Sequence, residues 1–251
     1  MERGLILLVA AFMVFVAPGV RGTAHLSFAN NTEVNITRTG CRVSKLCLET
    51  PNNCDPAGNG TCLFGSLVAS PPVAPNGVNL SVELRGNSMG YVALGLTVNA
   101  SEGGTMLFVC AQNSSNNGSF FFRTMMRNNT DDMLTPTETR VTEIRGSVKD
   151  NVIQCEFVVP GVNATSTRSS DATTFDVLLG TGTFNGNSLG PFNVSLNSGA
   201  LNIADPTSNT AGTTAAPTMT SSSTTAGTCV LHPHALLVLL SVLTLSVMQK
   251  A

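Results

Sequence analysis

Residues 90–104 read GYVALGLTVNASEGG. Apolar residues alternate with small ones from Tyr91 to Val98, and the chain then breaks into a polar loop holding Glu102, Gly103 and Gly104. A run of this kind, bounded by turn residues, predicts a strand with a face in a core. Similar patterning recurs in NLSVELRG, TMLFVCAQ, SFFFRTMM, TRVTEIRGSV, NVIQCEFVV and TTFDVLLGTG, with NG, GG, NN or DD clusters at the breaks. No stretch between the two chain ends carries a convincing helical period. The expected fold is all-β, an antiparallel β-sandwich formed by one domain over residues 28–204.

The chain ends predict a cell-surface protein. Residues 1–22 read as a signal peptide, with an apolar run from Leu5 to Ala17 and cleavage after Gly22 or Ala24. Residues 205–228, DPTSNTAGTTAAPTMTSSSTTAGT, are nearly all small and polar, the composition of an O-glycosylated stalk that cannot build a core. Residues 229–251 hold a short spacer and the apolar tail ALLVLLSVLTLSVM. Small residues, spacer and tail together predict a GPI signal, with attachment at Ser221, Ser222 or Ser223. The alternative is a single C-terminal transmembrane helix, which would include Pro233 and have only Lys250 as its basic flank. The expected location is the extracellular face of the plasma membrane.

Seven cysteines fit that compartment. Cys229 falls in the tail, leaving Cys41, Cys47, Cys54, Cys62, Cys110 and Cys155 for three disulfides of unassigned pairing. The spacings within Cys41 to Cys62 do not suit zinc modules. Instead the segment reads as a disulfide-held loop packed on the sandwich. N-glycosylation sequons stand at Asn30, Asn35, Asn59, Asn79, Asn99, Asn113, Asn117, Asn128, Asn163 and Asn193. A formal net charge of −2 with 11% charged residues argues against a nucleic-acid partner, which calls for a basic face.

The segments Cys-x₅-Cys-x₆-CDPAGNGTC-x-F, VELRG-x₃-GYVALGL, FVCAQ and NVIQCEFVVP carry a resemblance. Together they resemble the DOMON domain of the ferric-chelate reductase 1 group, over about Gly40 to Ser198. Full-length members of that group usually carry a reeler domain before this one and a cytochrome b561-type bundle after it; here the small-residue stretch and the apolar tail follow. The resemblance implies a sandwich of roughly ten strands that in some members holds haem b or a sugar. Haem-binding members use a Met on the loop after the GYVALGL-type strand and a His on a late strand. Here Glu102 stands at the Met position, and Met106, the weak alternative, falls within the next strand as a core side chain. The late strand, placed near residues 187–196, contains no His. The only histidines are His25, His232 and His234. The expectation is therefore a domain without cofactor, with haem b as the alternative.

Other chemistry is thin. Hydrolytic triads need an imidazole base, and the mature domain offers none. His25 would need a second imidazole to hold copper. Asp131 and Asp132 are expected to cap a turn, with weak calcium binding as the alternative. Glu138, Arg140, Glu143 and Arg145 are read as the wet face of one strand, and residues 180–190, GTGTFNGNSLG, as a loop between strands. No catalytic or metal residue is assigned. The function read from the sequence is a non-enzymatic binding module for carbohydrate or a cell-surface protein. The alternative is an electron-relay oxidoreductase of ferric-chelate reductase type.

Overall fold

The computed structural model describes residues 30–72, 77–113, 119–164, 173–185 and 188–208. The signal segment, the stalk after Ser208, Ser221 to Ser223, the tail, all three histidines and Cys229 lie outside the described residues.

Twelve strands form two sheets. They are β1 (Asn30–Asn31), β2 (Leu46–Thr50), β3 (Leu63–Ala69), β4 (Val78–Asn87), β5 (Tyr91–Thr97) and β6 (Gly104–Asn113), followed by β7 (Ser119–Asn128), β8 (Leu134–Pro136), β9 (Thr142–Lys149), β10 (Val152–Val162), β11 (Thr174–Gly182) and β12 (Asn193–Asn202). The first sheet has the order β1-β9-β10-β4-β3-β2 and the second β12-β11-β5-β6-β7-β8. All pairings are antiparallel except β1 with β9, which is parallel.

Inward side chains of both sheets make one core, with Leu80, Val82 and Leu84 from β4 beside Leu94, Phe108, Phe122 and Leu179 of the second sheet. Cys110 on β6 and Cys155 on β10 join the two sheets through this core. β5 lies between β11 and β6, and every one of its residues is buried. Burial on both faces explains why YVALGLT is apolar or small throughout rather than alternating with charge. Gly90, which opens the motif, permits a crossing: a Cβ there would stand 2.4 Å from the carbonyl oxygen of Gly182.

The two cysteine-rich loops form short staples, Cys41–Cys47 and Cys54–Cys62. Within this segment the structure corrects one expectation, because LCLET forms β2 and pairs with β3 along its whole length. The segment lacks clear alternation because an outward Cys47 is buried beneath Val34, Ile36 and Phe64 in a small apolar cluster on the outer face. The expected wet strand is shorter than read. Glu138 and Arg140 are exposed but precede β9, which begins at Thr142. The loop read over residues 180–190 starts late as well, since Gly180–Gly182 still belong to β11.

Candidate functional site

Strand parity places 79, 81, 83 and 85 of β4 on the outer face of the first sheet, and register aligns them with neighbours. Arg145 of β9 faces Glu156 of β10, Glu156 faces Glu83 of β4, Glu83 faces Ser66 of β3, and Ser66 faces Cys47 of β2. Opposed carboxylates would repel, but each has a cation. Arg145 forms an ion pair with Glu156. Lys45, carried by the first disulfide staple, donates to both oxygens of Glu83 at 2.8 Å, and the Ser66 hydroxyl donates to Glu83 Oε2 at 2.7 Å.

This row floors a cavity of about 160 Å³ that Ser81, Val68, Val158 and the exposed Glu143 also line. The groove presents carboxylate acceptors, two serine hydroxyls and the Arg145 guanidinium. Among the described residues there is no histidine, every cysteine is in a disulfide, and no three of His, Cys, Asp and Glu gather as a metal group. Such chemistry suits recognition of a polar ligand.

The far end of the sandwich, where β4 passes into β5, is built around Arg85. Its guanidinium donates to the carbonyls of Cys62 at 2.6 Å, Gly58 at 3.2 Å and Gly60 at 3.0 Å, and to Asn87 Oδ1 at 3.0 Å. The CDPAGNGTC loop is thereby fastened over a fully buried cation. Burial lowers the affinity of this guanidinium for its proton, and the charge of Asp55 acts in the opposite direction. At the same end, but on the outer face of the second sheet, Tyr91 is fully buried and donates its hydroxyl to the Gly190 carbonyl at 3.0 Å. Burial pushes the Tyr91 phenol well above its usual range. From there the segment after β11 runs across the sheet, and Phe184 packs on Phe121 of β7 with centroids 4.7 Å apart.

Glu102 and Met106, the residues considered for haem, lie at one end of the second sheet, where Met106 faces Leu96. Glu102 sits in the β5–β6 loop at the end where the described chain leaves β12, its carbonyl accepting from Asn129 Nδ2 at 3.1 Å. Asn193 faces Thr181, which faces Val92 near the far end of β5, whereas Glu102 follows Thr97 at the other end. From Asn193 the strand runs on to Ala200, which faces Asp176, itself opposite Thr97 beside the Glu102 loop. The late strand itself runs from Asn193 to Asn202, later than residues 187–196, and Leu196 within it is a buried core residue. Met106 is half-buried against the core, opposite Leu96 and Met126. Asp131 and Asp132 form a turn: Asp131 accepts from the Met133 N–H at 3.0 Å, and Asp132 pairs with Arg127.

The sequon asparagines Asn35, Asn59, Asn79, Asn99, Asn128, Asn163 and Asn193 are all exposed. The side chains of Asn30, Asn113 and Asn117 lie outside the described residues. At Asn79, Asn99 and Asn128 the side chain accepts a backbone N–H through Oδ1, from Gly161, Ser101 and Thr130.

Comparison with known proteins places this geometry in a family context. The chain is 24% identical over 143 residues to a putative ferric-chelate reductase 1 of Danio rerio, which covers 57% of this chain and 24% of that protein. It is 25% identical over 118 residues to a putative ferric-chelate reductase 1 of Xenopus laevis, covering 47% of this chain and 18% of that protein. These similarities support a relationship to the ferric-chelate reductase 1 family. The chain spans a quarter or less of the length of these reductase relatives. No family model matches, and no solved structure matches significantly. Among the described residues no helix is long and apolar enough to cross a membrane.

The site residues that sequence reasoning missed are Lys45, Ser66, Glu83, Arg85 and Glu156. Glu83 and Arg85 lie in VELRG and Glu156 in IQCEF, so period-two parity could have put each pair of neighbours on a face. The register that joins β4 to β10 is long-range and leaves no local signal.

Proposed function

We propose that this chain is a cell-surface module of the DOMON type, related to the ferric-chelate reductase 1 proteins, that works by binding and not by electron transfer. In this reading it is a glycoprotein held to the outer leaflet by a GPI anchor, it carries no haem, and the outer face of the first sheet meets a carbohydrate or a cell-surface protein. The observation that carries the reading is the polar groove itself: four strands contribute charged or hydroxyl side chains to one concavity. The exposure of every sequon asparagine whose side chain is described supports an extracellular, glycosylated surface.

The full-length chain, presented on cells and in detergent, should bind selected members of glycan and cell-surface protein arrays. Glu83→Gln together with Glu156→Gln should remove that binding while the protein stays folded. Binding that survives the double substitution would move the site elsewhere, and an absence of any selective partner would sink the reading. A second reading, a haem-b electron relay, is favoured by the printed name of the two relatives. It requires axial ligands outside the positions that the resemblance singles out.

A further inference from the structure

The sequon Asn79-Leu80-Ser81 runs into the edge of the groove on the first sheet. Its third residue, Ser81, lines the cavity, and strand parity puts Asn79 on the same outer face one step before it. Ser81 faces Val68 of β3 on one side and Val158 of β10 on the other. The row beyond holds Ser66, Glu83, Glu156 and Arg145. Outward rows follow one another at ~7 Å along a strand. From Asn79, then, the groove is graded: a row with two valines comes first and a charged row second.

The carboxamide of Asn79 already leans the right way. Its Oδ1 accepts from the Gly161 N–H at 3.3 Å, which turns the side chain toward β10, the strand that carries Val158 and Glu156. Nδ2, the atom to which an N-glycan is joined, has no hydrogen-bond partner among the described residues. Asn79 is exposed, Val158 is half-buried, and Val68 is 38% exposed.

A pyranose ring is graded too, with apolar C–H faces and polar hydroxyl edges. The first N-acetylglucosamine on Nδ2 would cover Val68 and Val158, taking apolar surface out of water. Hydroxyls of the second would reach the Glu83 and Glu156 carboxylates and the Arg145 guanidinium, which accept and donate charge-assisted hydrogen bonds. Tethering at the rim gives this sugar a high effective concentration over the groove. We propose that the Asn79 glycan folds back into the groove and closes it in cis, so that an outside ligand has to displace it. The inference rests on the reading of the groove as a carbohydrate-binding surface. It names the chain's own N-glycan core as the first occupant and makes one sequon the control on the site.

The test is hydroxyl-radical footprinting of the full-length chain, expressed in mammalian cells and held in detergent, with glycopeptide mass spectrometry to read Asn79. Ser81→Ala abolishes the sequon but keeps Asn79 and its bond to Gly161, whereas Ser81→Thr keeps the sequon. Val68 and Val158 should be modified severalfold faster in Ser81→Ala than in the wild-type chain, and at the wild-type rate in Ser81→Thr. Met89, 81% exposed at the far end, should react equally in all three. Asn59→Gln, which removes a sequon at that far end, should leave both valines protected. A wild-type Asn79 without glycan, or valines equally reactive with and without it, would overturn the proposal. No outside partner enters this measurement, so its failure is distinct from a failure of array binding. Where array binding does occur, Ser81→Ala should strengthen it severalfold, because the groove is then open in every molecule.

Discussion

Arg85 and Tyr91 carry the far end on single side chains, and each makes a prediction. Arg85→Met keeps the bulk but leaves three carbonyls without their buried donor. Orphaned buried acceptors put the cost at about 3 kcal/mol, to be read as a shift in the denaturant midpoint of the full-length protein. Tyr91→Phe deletes one hydrogen bond and should cost about 1 kcal/mol. The phenol is also a pH-dependent term. Its folded affinity for the proton is raised above the ordinary value of 10.0, so the folded state holds a proton that the unfolded state gives up. Stability is then complete below that value and falls as pH rises through it. The wild-type chain should lose stability above about pH 10 more steeply than Tyr91→Phe. Parallel alkaline profiles for the two proteins would show that Tyr91 is not the group responsible.

At the scale of elements, the sandwich depends on one covalent link between its sheets. Cys110 and Cys155 close 45 residues of chain, and chain-entropy arguments value such a closure at about 4 kcal/mol. Cys110→Ala with Cys155→Ala should lower stability by that order in thermal unfolding, more than opening the staple Cys54 to Cys62, which closes only 8 residues. Strands buried on one or both faces were legible in the sequence, because core burial writes alternation or an apolar run into β4, β5, β6, β7 and β10. β2 was not, since its outward positions are covered by the stapled loop and its pattern is blurred. β12 was placed too early: the turn residues after Gly182 continue to Phe192, and NVSLNSGALN has only Leu196 and Leu201 fully committed to the core. Of the groove, the individual charges could be read but their alignment could not. That alignment depends on Glu83 meeting Glu156, 73 positions later in the chain, a contact that only the completed sheet creates.

For the whole molecule, the proposed glycans and lipid anchor would decide how the sandwich is presented. Glycosidase treatment should reduce the apparent mass, and Asn→Gln at exposed sequons such as Asn59 or Asn193 should each remove one step of that reduction. Phosphatidylinositol-specific phospholipase C should release the protein from cells; retention despite active enzyme would favour the transmembrane alternative. The relatives' name points to iron reduction, whereas the proposed reading is a module without haem. The most direct measurement is the visible spectrum of the purified full-length chain after incubation with haem and washing. The account predicts no Soret band at stoichiometric intensity. A stoichiometric band that survives washing would contradict it.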